Sequence, residues 1–373
     1  MYQVEASMIN TKISDEFFKK AILKGQSEIF NEFSPSVRES KVGPDSFFEI
    51  AQNSLHKDIN DRITKFVLNK NPINSSACGF VAGKSYYDFL RPHITGYFFL
   101  RLDIKKFFHS IPVSEVRELL SQHFNDTKNG AKYSALDIAY MSVTHKVSND
   151  HVDQDLKARE ILPIGFSSSP IISNIIFRRV DILIQKLCEE KGITYTRYAD
   201  DMLFSSYKSR YLHSEQFERD ISIFISTLSL KLKKRKRKEA ENTISLNGYV
   251  IQNKKIEKSL FNVLKEKPVG KIRLSNKKLK TLKKLAALLR KKQSPTYIME
   301  NQFKLNPNKF KAKFGKNLNF YNKFADDQLQ NKIKGYRSYL VALLKYNELH
   351  GCVNIDCVKT VEKLIKVFEL NVK

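Results

Sequence analysis

The sequence predicts an α+β fold in which helices pack on an antiparallel sheet. Three observations carry that expectation. Residues 96–255 alternate strand, helix, strand, strand, helix, strand. The chain has 373 residues with 42% hydrophobic and 28% charged side chains, enough for one large core with two or three subdomains and too apolar for a disordered tail. The net charge of +26 is confined to the end: residues 231–373 hold 36 Lys and Arg against 11 Asp and Glu, whereas 1–230 hold 29 against 28.

Residues 1–70 read as mostly helical, with Ser14-Asp15-Glu16 opening an amphipathic stretch from Phe17 to Phe33 and Pro35 closing it. Turn residues crowd 72–96 (Pro72, Gly79, Gly83, Pro92, Gly96). Tyr97–Ile104 is aromatic or branched almost throughout and predicts a strand, broken by charge only at Arg101 and Asp103. A helix follows Pro112, with Ser114 as the expected N-cap. Ser169-Pro170 has the order of an N-cap and a first helical residue, and that helix should stop at Gly192. TYTR, YADD and MLFSS then read as strand, turn and strand from Thr194 to Ser206. A helix is expected from Ser214 to about Leu230, a basic run over Lys231–Lys238, a hairpin in NTISLNGYVIQ, and basic helices from about 275 onward.

The composition excludes several classes. No run approaches the roughly 20 apolar residues that span a bilayer. The N-terminus lacks a basic segment followed by an apolar one, so secretion is not expected. The four cysteines have no CxxC spacing, which disfavours a disulfide framework or a structural zinc site and fits a reducing cytoplasm. A chain third this basic repels itself unless a polyanion neutralises it, which points to nucleic acid; a solvated basic face is the plainer alternative. Membrane binding is the weaker rival, because the region has no Trp- or Phe-rich amphipathic anchor.

Two acidic sites interrupt hydrophobic strands: Asp103 in FFLRLDIKKFF, and Asp200-Asp201 at a tight turn between two strands. A carboxylate amid apolar residues loses hydration and needs a cation or a donor in return. Three of them at one sheet end would suit hard divalent ions; each alone would read as an ordinary turn residue. Between them lies LPIGFSSSP, Leu162–Pro170. There Gly165 permits close backbone approach to a ligand, and three serines offer hydroxyls and N–H groups at a helix start, a place for a phosphate or sugar oxygen; a capped helix start with nothing bound is the plainer alternative.

In order, GFVAGKSYY, LRLDIKKFFHSI, LPIGFSSSPIISNIIF, YTRYADDMLFSS and LNGYVIQNKKI resemble the fingers and palm of a reverse transcriptase over about residues 75–260. By pattern they are similar to the bacterial retron-like and antiphage-defence (abortive-infection) group. The resemblance implies a right-hand polymerase: fingers from 1–95, palm from 96–255, and a basic helical thumb with an extension from 256–373. It implies Asp103, Asp200 and Asp201 as the catalytic set, with these three and the Ile104 carbonyl facing two Mg²⁺ ions, for which Mn²⁺ is an expected substitute. Lys84 falls near the incoming triphosphate, Gly165 and Phe166 border the nucleotide, and Phe108 matches the bulky gate that favours dNTP over rNTP. Tyr198 falls near the primer end. Lys233, Lys234, Arg235, Lys236 and Arg237 would touch nucleic acid, one of the lysines being a candidate proton donor to pyrophosphate. An RNA template, a DNA product and dNTPs are the implied partners, with a dedicated noncoding RNA as the template, a homo-oligomer or a partner defence protein as further expectations, and no membrane.

The chain departs from that pattern at three places. Ile164 stands where LPQG has Gln, FLRPH replaces NAxxH, and LNG replaces VTG. Two rivals stay open: untemplated or protein-primed synthesis by the same site, and a silent RNA-binding subunit of a defence complex. Cys188 and His93 read as structural.

Overall fold

The computed structural model describes residues 12–25, 33, 36–43, 45–128, 130–254, 269–309 and 317–372. The described chain forms an α+β fold that divides into two compact units. One combines residues 1–89 with 100–239, the other 90–99 with 240–373.

In the first unit Ser14 caps the short helix Asp15–Phe17 through its hydroxyl, and a wider helical turn, Phe18–Leu23, follows directly. The expected helical region then gives way to a hairpin. Strands β1 (Val37–Val42) and β2 (Asp45–Ile50) pair antiparallel, from Val37 opposite Ile50 to Val42 opposite Asp45. The reason is visible in β2, where Ser46, Phe48 and Ile50 are buried and the residues between them exposed, a period of two. The helix Leu55–Phe66 follows, capped by Ser54.

Strand β3 (Phe98–Asp103) lies where the sequence puts it, with Arg101 its least buried residue. The helix after it, Val113–Ser121, is capped by Pro112, and Ser114 lies inside the first turn instead of before it. The helix Ala135–Val143 leads into the two-residue strands β4 (His145–Lys146) and β5 (Glu160–Ile161). The helix Ser169–Glu190 starts one residue earlier than its Ser-Pro pair suggests, with Ser168 as N-cap, and Gly192 lies just beyond it with φ 63°. Strands β6 (Thr194–Tyr198) and β7 (Asp201–Ser206) form the expected hairpin. The sheet runs β6–β7–β3–β8, the last being Lys238–Glu241. Every residue of β7 is buried, as expected of an inner strand. The helix Glu215–Ser226, capped by Ser214, packs Phe217 edge-on against Phe204 of β7. Cys188 lies in the core.

In the second unit β9 (Thr243–Leu246), β10 (Tyr249–Gln252) and β11 (Lys271–Leu274) form an antiparallel sheet. Helices Asn276–Arg290, Pro295–Phe303, Leu318–His350 and Ile355–Glu369 follow. They are helical and basic, as the sequence predicts. His93 is fully buried here, and burial lowers its pKa to about 3. No helix among the described residues is long and apolar enough to cross a membrane.

Candidate active site

Asp103 ends β3 and Asp201 opens β7, so neighbouring strands deliver both carboxylates to one end of the sheet. Asp200 sits in the two-residue turn between Tyr198 and Asp201. The Ile104 N–H donates to the Asp200 carbonyl at 3.0 Å and ties the turn to β3. The basic run comes alongside: the Lys233 N–H donates to the Asp103 carbonyl at 2.7 Å, and the Lys105 N–H to the Lys231 carbonyl at 2.9 Å.

Asp103 and Asp201 are buried and each holds a cation. Arg101 donates from Nε to Asp201 Oδ1 at 2.9 Å and from Nη2 to Oδ2 at 2.7 Å, a fork-to-carboxylate pair. Lys236 Nζ lies 2.5 Å from Asp103 Oδ2. Asp200 makes no such ion pair among the described residues. Burial first, and then the charges of Asp103 and Asp201, raise its pKa to about 6. Burial also raises Asp201, against the opposing pull of Arg101. For Lys236 burial alone would lower the pKa, but the Asp103 carboxylate outweighs it and the net shift is upward.

In ligand chemistry, though not in a ready-made arrangement, this donor set is of the kind that divalent ions take. All three groups are carboxylates, hard oxygen ligands, and the charges of Asp103 and Asp201 act on Asp200, which makes no ion pair of its own among the described residues and feels the field of Lys236 in return. Among the described residues no three His, Cys, Asp or Glu side chains already form a metal cage. Arg101 and Lys236 occupy oxygens that an ion would need.

The other sequence-predicted positions divide. Phe108 is half-buried, with its ring 6.1 Å from Phe80 and 5.4 Å from the core ring of Phe107. Two residues before it, Lys106 takes a left-handed φ of 47° while its ammonium bridges Asp153 and Asp155. Lys84 donates to the Ser75 and Ala77 carbonyls at 2.6 and 2.8 Å, so its ammonium stabilises the turn-rich segment itself.

The close approach that Gly165 permits is to protein: its φ is 116°, and a Cβ there would lie 2.2 Å from the Phe48 carbonyl oxygen. Phe166 is buried among Phe48, Ile50, Val147, Leu156 and Ile161. The serine hydroxyls also bond to protein groups, with Ser168 and Ser169 buried and Ser167 exposed. Ser167 bonds the Asn60 and Asp61 side chains, Ser168 accepts from Asn60, and Ser169 donates to the Pro163 carbonyl.

Several positioning residues escape a reading by motif. Phe48 of β2 donates its N–H to the Ile164 carbonyl at 2.8 Å. His109 accepts the Ile164 N–H on Nε2 at 3.3 Å. An accepting imidazole must be neutral, and burial lowers the His109 pKa to about 4. Phe80, 52% exposed, puts its ring 6.2 Å from Tyr198 and so lies between that residue and Phe108. Its signal was present in GFVAG, an aromatic side chain in a turn with nothing apolar to bury against.

The basic run is not uniform. Arg237 pairs with Glu218 and Glu239, and Lys236 with Asp103. Lys233, Lys234 and Arg235 are exposed, with no carboxylate partner among the described residues.

A four-stranded sheet with carboxylates at the ends of two neighbouring strands is the arrangement expected of a polymerase palm. The family profile "Reverse transcriptase (RNA-dependent DNA polymerase)" matches residues 46–259, more than half of the chain, and the chain belongs to that family. It is 30% identical over 134 residues to the Retron Ec83 reverse transcriptase of Escherichia coli, covering 36% of this chain and 40% of that protein. It is 29% identical over 183 residues to the Retron Mx65 reverse transcriptase of Myxococcus xanthus, covering 43% of this chain and 40% of that one. The chain thus spans about 40% of the length of these curated relatives. Among solved structures it is similar to apo telomerase from Candida tropicalis, at a TM-score of 0.37 and 10% identity over 58% of this chain and 46% of that one. A likeness that distant carries no weight beside the family match.

Proposed function

We propose that the chain is an RNA-templated DNA polymerase, in which a primer 3′-hydroxyl attacks the α-phosphorus of a dNTP and displaces pyrophosphate. The observation that carries this reading is the delivery of Asp103, Asp200 and Asp201 to one sheet end, with Asp200 outside any ion pair among the described residues. Asp103 and Asp200 would hold divalent metal, two Mg²⁺ ions in full occupancy, with Asp201 supporting them. Bound there, the metal supplies Lewis-acid activation and neutralises charge at phosphorus. Phe108 lies under the sugar and Tyr198 near the primer end. Lys84 keeps its segment in shape beside the triphosphate, and Gly165 and Phe166 shape the pocket wall.

The fingers, palm and thumb are taken as 1–95, 96–255 and 256–373. The reading includes a dedicated noncoding RNA as template and a role in antiphage defence; the retron relatives support its reverse-transcriptase part. Nucleic acid sequenced from the purified protein tests that part directly.

The ion pairs Arg101–Asp201 and Lys236–Asp103 favour one rival, a silent RNA-binding subunit whose carboxylates stay neutralised. Mg²⁺-dependent dNTP incorporation on a primed RNA separates the two. The wild type should incorporate, and Asp103→Asn and Asp200→Asn should each lose activity by roughly 10³-fold or more, a loss of about 4 kcal/mol. Both variants should keep the fold. Wild-type incorporation in either variant would overturn the site.

A further inference from the structure

The turn that carries Asp200 is strained and clamped. Ala199 takes a left-handed φ of 54° without being glycine, a conformation that persists only where its surroundings impose it. On one side stands Gly79, where a Cβ would lie 2.7 Å from the Ala199 nitrogen. On the other stands Arg197, whose Nη1 donates to the Ala199 carbonyl at 3.1 Å. The rest of that guanidinium is committed to Asp181 on the helix Ser169–Glu190: Nε to Oδ1 at 2.9 Å and Nη2 to Oδ2 at 2.7 Å. Both side chains are wholly buried, and the guanidinium carbon lies 4.5 Å from the Phe177 ring centroid. The Arg197 backbone is fixed as well. Its N–H donates to the Ser76 carbonyl at 2.8 Å, and its carbonyl accepts from the Cys78 N–H at 2.7 Å.

A sealed ion pair is often no more stabilising than apolar side chains of equal volume, so stability alone does not account for this one. What an apolar pair could not supply is the third bond, a donor aimed at the carbonyl immediately before Asp200.

We infer that Arg197, clamped by Asp181, is the positioning residue of the turn: through the Ala199 carbonyl it fixes the direction in which Asp200 presents its carboxylate. The inference rests on the polymerase reading of that turn. Misplacement of a reacting group by about 1 Å costs up to about 10²-fold in rate, so the expected signature is a loss in kcat with KM for dNTP near its wild-type value.

The test compares three forms with the full-length wild type. Arg197→Met/Asp181→Leu removes both charges together and should still fold. It should lower kcat roughly 10- to 100-fold and shrink the rise in melting temperature that Mn²⁺ produces, while its melting without metal stays near wild type. Arg197→Lys keeps the charge on Asp181, but one ammonium cannot span the carboxylate and the carbonyl, and it should show the same loss in kcat; it decides the matter if the double variant does not fold. Tyr195→Phe removes only the 2.7 Å bond from the Tyr195 hydroxyl to Asp181 and should keep its kcat. A folded Arg197 variant with wild-type kcat and Mn²⁺ response overturns the inference alone. So does an equal loss in Tyr195→Phe, which would mean general loosening of the strand. A wild type that incorporates no dNTP overturns the polymerase reading and this inference with it.

Discussion

Two arginine–aspartate pairs meet the central sheet, Arg101–Asp201 between β3 and β7 and Arg197–Asp181 between β6 and a helix, and they differ mainly in their access to water. Arg197 and Asp181 are 0% exposed, whereas Arg101 and Asp201 keep 18% and 10% of their side-chain surface. Both are forked pairs with similar distances. The sealed pair has no exchange partner, because neither water nor an ion reaches it, and it acts as part of the frame. The open pair lies beside Lys236–Asp103, whose lysine is 43% exposed and able to leave toward solvent. Charge in the frame is fixed, and charge at the site is exchangeable. A site that must accept a metal needs the second kind next to the first.

Breaking one partner of each pair tests this directly. Asp181→Asn leaves a buried guanidinium without its counter-charge and should cost about 3–5 kcal/mol. Arg101→Gln leaves a carboxylate that still reaches water and should cost about 1–2 kcal/mol. Urea unfolding followed by circular dichroism reads both. Mg²⁺ should restore part of the loss in Arg101→Gln and none in Asp181→Asn. Equal losses, or equal rescue, would mean that exposure is not what separates the pairs.

The same contrast explains what the sequence could reveal. β3 and β7 were legible because these inner strands are buried nearly throughout and the carboxylates stood out against their apolar residues, and the edge strand β6 was legible from its β-branched and aromatic residues. The β1–β2 hairpin was not, because β1 is largely exposed and only β2 carries a clear alternation, over six residues. Lys84 and Gly165 were singled out for a place beside the nucleotide, a role their contacts within the protein do not reveal. Lys84 bonds the Ser75 and Ala77 carbonyls within its own turn-rich segment, whereas Gly165 lies against the Phe48 carbonyl, an approach between residues far apart in sequence that no local spacing encodes. Arg197 lay in plain view in YTRYADD, but its partner is 16 residues earlier on a helix, and only the fold brings them together.

Titrating groups sharpen the comparison on a smaller scale. Burial lowers His56 and His109 to about 4. In the unfolded chain each titrates near 6.5, so the unfolded state binds more protons between those values. Their contribution is fully present above about pH 6.5 and is lost as pH falls toward 4, at about 1.4 kcal/mol per pH unit for each histidine. Unfolding free energies measured from pH 7 to pH 4.5 should show that slope. His109→Gln should reduce it by about one proton. An unchanged slope would mean that acid acts elsewhere.

The smallest effect per residue belongs to the basic run, where committed and free charges stand side by side. Lys236 and Arg237 are held by Asp103, Glu218 and Glu239, whereas Lys233, Lys234 and Arg235 face water. Free cations that meet a phosphate strand release bound counterions, and each contact to a single strand adds about 0.7 to the slope of log affinity against log salt. Replacing Lys233, Lys234 and Arg235 with Gln should therefore flatten that slope by about 2 and weaken binding to all sequences alike. Arg237→Gln alone should leave the slope nearly unchanged, because its charge is already spent on Glu218 and Glu239. Binding of a labelled single-stranded RNA across a salt series measures both. If Arg237→Gln flattens the slope as much per residue as the triple variant, those ion pairs open on binding, and the division between committed and free charge fails at this end of the site.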